Sequence, residues 1–198
     1  GSGSSARLRL NLKRTAFTEV RARQFALHEV LGHALQSVSY TAGATADDET
    51  WPRVLTVHAP QQVLLEGLAQ AMPLFVAPDD PALMARVRLD HYHALVHAEL
   101  HLKINAGVPA DECAAHARRR VPYWTDAAIA NLLRDRGADP LLRSYLYSYP
   151  AGIDWFVALA DSGDTVAAKE VLRAAFRTPL TPGQLHELWP AGPCPGGG

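Results

Sequence analysis

Apolar positions recur at helical rather than alternating spacing along most of the chain. From Thr15 to about Tyr40, the residues Phe17, Val20, Phe25, Val30, Leu31, Ala34, Leu35 and Val38 mark a helix. The polar, turn-rich stretch TAGATADDETWP that follows, residues 41–52, reads as a loop. A second helix is expected from near Pro60 through QQVLLEGLAQAMPLF, with Pro73 kinking or ending it. Asp80-Pro81 then joins an N-cap to proline at the first helical position. It starts a helix that runs to Asn105, with Gly107 just beyond as a stop. Start signals return at Pro109, Thr125, Asp139-Pro140, Asp164 and Thr181-Pro182. Only RVLTVHAP, residues 53–60, reads as a strand, and no repeat period appears. The pattern predicts an all-α chain. Residues 7–190 are expected to form one helical domain, between a cloning scar or linker at 1–6 and a flexible tail at 191–198.

Composition narrows the functional classes. With 198 residues the chain is long enough to bury a sizeable core, and its 48% apolar and 20% charged content is ordinary for a globular protein. The formal net charge of −1 offers no electrostatic attraction for nucleic acid or an anionic membrane surface. The one basic cluster, Arg118-Arg119-Arg120, follows a predicted helix and suits its C-terminal dipole. No apolar run approaches the roughly 20 residues that span a bilayer. The expected partner is thus a small ligand or a peptide, and the expected location is the cytoplasm. Two cysteines, Cys113 and Cys194, are too few for a disulfide framework or a cysteine-rich zinc site. Nothing in the sequence sets an oligomeric state.

The candidate chemistry lies in the first helix, at His28-Glu29-Val30-Leu31-Gly32-His33. A zinc hydrolase needs three protein ligands, an open position and a general base. Histidines four apart share a helix face, but these are five apart, which turns the second about 140° from the first on a regular helix. A one-residue π-bulge restores the alignment, and Gly32 is where backbone relaxation is cheapest. His28 and His33 are therefore candidate ligands of Zn²⁺, and Glu29 is the candidate base.

HEVLGH resembles the H-E-x-x-G-H zinc motif of dipeptidyl peptidase III, a gluzincin peptidase. "EGLA" at 66–69 resembles the E-G-W-A segment of a large bacterial family of unknown function, related to the carboxypeptidase Taq gluzincins, that carries H-E-A-Y-P-G-H-H-L-Q. HEVLGHALQ keeps the His-Glu start, the Gly-His pair and the Leu-Gln of that motif, with one residue fewer between the histidines. "INAGVPADECAAHA" is similar to that family's glycine-containing turn and following helix, and "RSYLYSYPAG" to its R-Y-I-x-W-P-G-Q segment. Members carry a large helical portion ahead of the zinc helix, so this chain reads as a minimal relative or a catalytic lobe. The resemblance implies a gluzincin-like helical domain with zinc between two central helices, and a third ligand from a glutamate on the second. Glu66 is that candidate, a lone carboxylate among Leu64, Leu65, Leu68, Ala69 and Met72 that would be costly to bury without a partner. The match to the tyrosine of R-Y-I-x-W-P-G makes Tyr145 the expected oxyanion donor.

Further residues are expected to touch substrate. His93, His97 and His101 are spaced four apart in DHYHALVHAELH and line one helix face, as cleft lining that contacts substrate or the oxyanion, as a mixed polar face, or as a separate metal site. Tyr145, Tyr147 and Tyr149 share one side if the stretch is extended and scatter if it is helical. Arg143 is a candidate for a substrate carboxylate, or a surface arginine. These readings converge on a zinc-dependent hydrolase, most simply a metallopeptidase cleaving peptide or amide bonds. Two alternatives stay open: a metal-dependent tailoring enzyme acting on a small molecule or modified peptide, and a non-catalytic helical module.

Overall fold

Helix starts follow the side chains that can cap them. The computed structural model describes residues 8, 17–46, 56–136 and 143–194. Thr18 accepts a hydrogen bond from Arg21 N and opens α1, Glu19–Ala26. The rod continues without a break through a π-helical segment, Leu27–Ala34, into α2, Leu35–Ala46. Then come α3 (Gln62–Val76), α4 (Pro81–Asn105) and α5 (Ala110–Arg120). A short α6 (Asp126–Asn131) runs into a second π segment, Leu132–Arg136. The chain closes with α7 (Arg143–Asp161), α8 (Thr165–Arg177) and α9 (Pro182–Leu188). Asp80, Thr125, Asp164 and Thr181 each cap the helix expected of them. No strand occurs among the described residues, so the all-α expectation holds.

Three local expectations are corrected. The loop at 41–52 begins late, because α2 runs on to Ala46. Packing against α8 outweighs the weak local propensity: Tyr40 Oη donates to Ala175 O at 2.6 Å, and Ala44 is buried nearby. Pro73 does not end α3, which continues to Val76. An interior proline costs about 3 kcal/mol, and here it sits buried between Met72 and Leu74, whose side chains join the core. Of the expected strand at 53–60, residues 56–60 form a turn, with Ala59 N bonded to Thr56 O, and the remainder lies outside the described residues. Also outside them are the start signal at Asp139-Pro140 and the segments 1–6 and 195–198. Residues 190–192 turn back on Trp189, whose carbonyl accepts from Gly192 N.

The centre of the fold is α3, buried almost all round and packed along α7 and the π segment. Its backbone meets that of α7 where Gly67 faces Gly152; a side-chain carbon on Gly152 would collide with Val63 O. Around this crossing, Leu64, Leu68, Ile153, Trp155, Phe156 and Trp189 form the main core, which reaches α8 and α9. Each such large apolar side chain contributes about 1.5–3 kcal/mol on burial. A smaller core of Val96, Leu100, Cys113, Ala117, Val121 and Ile129 ties α4 to α5 and α6. The metal-donor candidates stand against the first core.

Candidate metal centre

The π segment answers the spacing problem. Leu35 N bonds to Val30 O five residues back, so the helix is widened across His28-Glu29-Val30-Leu31-Gly32-His33. The expected bulge is present and spreads over eight residues. His28 and His33 thereby come together edge to face, with ring centroids 4.7 Å apart. Gly32 serves a second end besides backbone freedom. It is buried against α3, where an added Cβ would stand 2.6 Å from Ala69 Cβ. That close approach brings both imidazoles over the helix turn that carries Glu66.

His28 Nε2 is 3.8 Å and His33 Nε2 3.5 Å from Glu66 Oε2, and the three donor atoms all lie within 4.8 Å of one another. A tetrahedral zinc with ligand distances near 2.0–2.1 Å spaces its donors about 3.3 Å apart, so small side-chain rotations suffice. Among the described residues this is the one cluster of three such groups able to hold a metal ion. The carboxylate is 5% exposed. Its Oε1 accepts from Tyr145 Oη at 2.7 Å, whereas Oε2 is buried without a hydrogen-bond partner and faces only the imidazoles. A buried, half-satisfied carboxylate beside two imidazoles is costly alone and suits a cation. Zinc fits the donor set.

The electrostatics agree. Burial, and then the neighbouring His33, lowers His28 from its ordinary value to about 4, so it is neutral near pH 7. Burial also opposes charge on His33, but Glu66 outweighs it and raises the pKa. Burial opposes charge on Glu66, yet the contacts with His33 and Tyr145 hold its carboxyl below the usual range. Gln36, fully buried, donates to Leu65 O at 3.3 Å and locks the rod onto α3 beside the donors.

A cleft of about 480 Å³ opens next to His28 and is lined by Glu29, Gln24, Gln70, His93, His97 and Tyr149 among others. Arg21, Arg86, His93 and His97 also line an adjoining hollow of about 490 Å³ that reaches Trp124 and Asn131. Arg86 holds Asp90 through two bonds of 3.0 and 2.5 Å. Of the expected substrate residues, His93 and His97 are thus on the cleft wall. Their rings lie against Trp124, each at 5.2 Å, and His93 Nε2 meets Tyr123 Oη at 2.5 Å. His101 is elsewhere, buried and edge-on to Tyr147 at 5.7 Å. The tyrosine run is helical, which scatters the rings: Tyr145 and Tyr149 share one face, and Tyr147 another. Arg143 opens α7, and its side chain lies outside the described residues.

Tyr145 occupies a different position from the oxyanion donor expected of it. Its single proton goes to Glu66, so it positions the carboxylate. Sequence reasoning missed Arg21, Gln24, Gln70, Arg86 and Asp90, and took Tyr149 only as part of the tyrosine run. A signal existed for two of the five: Gln24 and Gln70 each lie four residues from His28 and Glu66, on the same helix faces. Comparison with known protein families, curated proteins and solved structures gave no match.

Proposed function

We propose that this chain is a zinc-dependent hydrolase of the gluzincin type, acting on peptide or amide bonds. The observation that carries the reading is the convergence of His28, His33 and Glu66, with a buried carboxylate oxygen that no hydrogen bond satisfies, beside a cleft that His28 lines. HEVLGH supplies the motif-level support. The run of the cleft into the hollow beside Trp124 suits an extended ligand.

In this reading His28 Nε2, His33 Nε2 and Glu66 Oε2 hold the metal. Bound zinc acts as a Lewis acid and brings the pKa of a water close to neutrality. Glu29, next to His28 and facing the cleft, takes a proton from the attacking water as its oxygen bonds to the carbonyl carbon. Glu29 then gives that proton to the leaving nitrogen as the C–N bond breaks. Tyr145 fixes the Glu66 carboxylate from behind, so that Oε2 faces the imidazoles. His97 stands on the cleft wall as the donor to the developing oxyanion.

The test is zinc content by plasma mass spectrometry on protein purified without a metal-affinity column, followed by a peptide-library digest. The expected result is near-stoichiometric zinc in both the parent and Glu29→Gln, with cleavage reduced at least about a thousand-fold in the variant. Full cleavage by Glu29→Gln would remove it as the base. Absence of zinc uptake, even on addition, would remove the hydrolase reading.

A further inference from the structure

The hollow that adjoins the cleft is lined by two arginines and, among the described residues, by no carboxylate. Arg21 from α1 and Arg86 from α4 stand on its wall with Trp124 and Leu132, and the same two arginines line the cleft beside it. Asp90 holds Arg86 through Nε and Nη2, at 3.0 and 2.5 Å, which fixes the plane of a half-buried guanidinium and leaves Nη1 outside the pair. The Arg21 guanidinium carbon lies 5.9 Å from the centre of the Phe17 ring, and Arg21 forms no ion pair among the described residues. Burial raises the Asp90 carboxyl above its ordinary value, while Arg86, His93 and Arg21 act on it in the opposite sense. Burial also lowers His93, which leaves it neutral near pH 7. Two permanent positive charges thus gather at one carboxylate, and the surplus borders the hollow. Glu29, the other carboxylate of the cleft, does not line the hollow.

We propose that this hollow is a carboxylate-binding site, in which Arg21 and Arg86 hold the anionic group of a ligand whose apolar body packs on Trp124 and Leu132. A carboxylate matches the planar fork of a guanidinium, and Asp90 sets one fork in advance, so little side-chain freedom is lost on binding. The surplus charge favours the anion over a neutral isostere, and the indole offers a flat apolar face to the rest of the ligand. The volume of about 490 Å³ lies in the range of small-ligand sites. The site needs no metal and so goes beyond the hydrolase reading. Taken with that reading, the substrate is an amide that carries a carboxylate, either its own terminus or an acidic side chain.

The test measures affinities by calorimetry at pH 7 for two matched pairs of probes. N-acetylphenylalanine is set against its neutral amide, and the α-amide of N-acetylglutamate against that of N-acetylglutamine. The full chain is used both zinc-loaded and chelator-treated, because a bound metal also attracts carboxylates. In both preparations at least one acid should bind about ten-fold more tightly than its neutral partner, the span of one charge-assisted hydrogen bond. Preference in the phenylalanine pair identifies a chain terminus as the ligand group, and preference in the glutamate pair an acidic side chain. Two variants, the exposed Arg21→Gln and the double Arg86→Gln, Asp90→Asn, should each reduce the preference to about two-fold or less, with zinc content unchanged; the double variant leaves no unpaired buried charge. No preference in the parent, or the same preference in both variants, overturns the carboxylate site and leaves the hydrolase reading intact. A preference that disappears with the chelator puts the carboxylate on the metal and also overturns it. Absence of zinc uptake removes the hydrolase reading alone.

Discussion

The molecule carries two sets of histidines, and the irregular one makes the better ligand site. On α4, His93, His97 and His101 keep the ideal four-residue spacing, yet His93 and His97 both lie against Trp124 while His101 meets Tyr147. In the π segment, His28 and His33 are five apart and converge on one carboxylate. Regular spacing provides a shared face only. This site adds a third donor from a second element, the buried carboxylate of Glu66 on α3, which is costly to leave without a cation. Around His93, His97 and His101 the ring neighbours are aromatic, and among the described residues these histidines join no cluster of three metal donors.

The largest expected effect breaks the contrast outright. Glu66→Ala should lower zinc affinity more than about a hundred-fold, since a lost ligand exceeds the 10–100-fold typical of outer-shell partners. Comparable zinc loss from the double variant His93→Ala, His97→Ala would mean that the metal belongs to the other set. Next comes the close approach that the π segment needs. Gly32→Ala should cost about 1–3 kcal/mol through overpacking on Ala69, read as a lower Tm. Adding Ala69→Gly should recover part of that loss.

A titration sharpens the same comparison in metal-free protein. His28 binds protons more weakly folded than unfolded, so its contribution is present above pH 6.5 and is lost as pH falls toward 4. From pH 6 to 4.5 this amounts to about 2 kcal/mol. His33 is shifted upward, so its contribution is already complete below pH 6.5 and stays level across that range. Glu66 is shifted downward, and its contribution declines only below its ordinary value of 4.5. Urea unfolding of the chelator-treated protein at both pH values should show the drop, and His28→Gln should flatten it. The smallest expected effect is His93→Ala, which should cost under about 1 kcal/mol, because its Tyr123 contact is exposed.

Much of this was legible in the sequence because capping is local. Asp80, Thr125, Asp164 and Thr181 announce their helices through side chains that reach only two or three residues onward. His28, His33 and Glu66 could be selected because each breaks the expected chemistry of its segment, by spacing in one case and by isolation among leucines in the other. The extent of α2 and the passage of α3 through Pro73 were hidden, because distant packing decides them. The cleft wall was hidden for a similar reason. Arg21, Gln70, Arg86 and Tyr149 come from four helices, and along the chain only the four-residue steps from Glu66 to Gln70 and from Tyr145 to Tyr149 hint at the wall. Tyr145 lies beside the centre, but its bond to Glu66 depends on a helix crossing that no local pattern reports.

That crossing bears on how the protein can be dissected. All three donors lie within the first third of the chain, so a peptide ending after α3 would contain every ligand. It would lack Gly152, which lets α3 seat against its neighbour, and Tyr145, which turns the carboxylate. Such a fragment would hold the letters of the site without its grammar, and its ligands would have to be ordered at the expense of metal affinity. The centre is a property of the whole helix assembly, formed late in any folding order that closes long loops last.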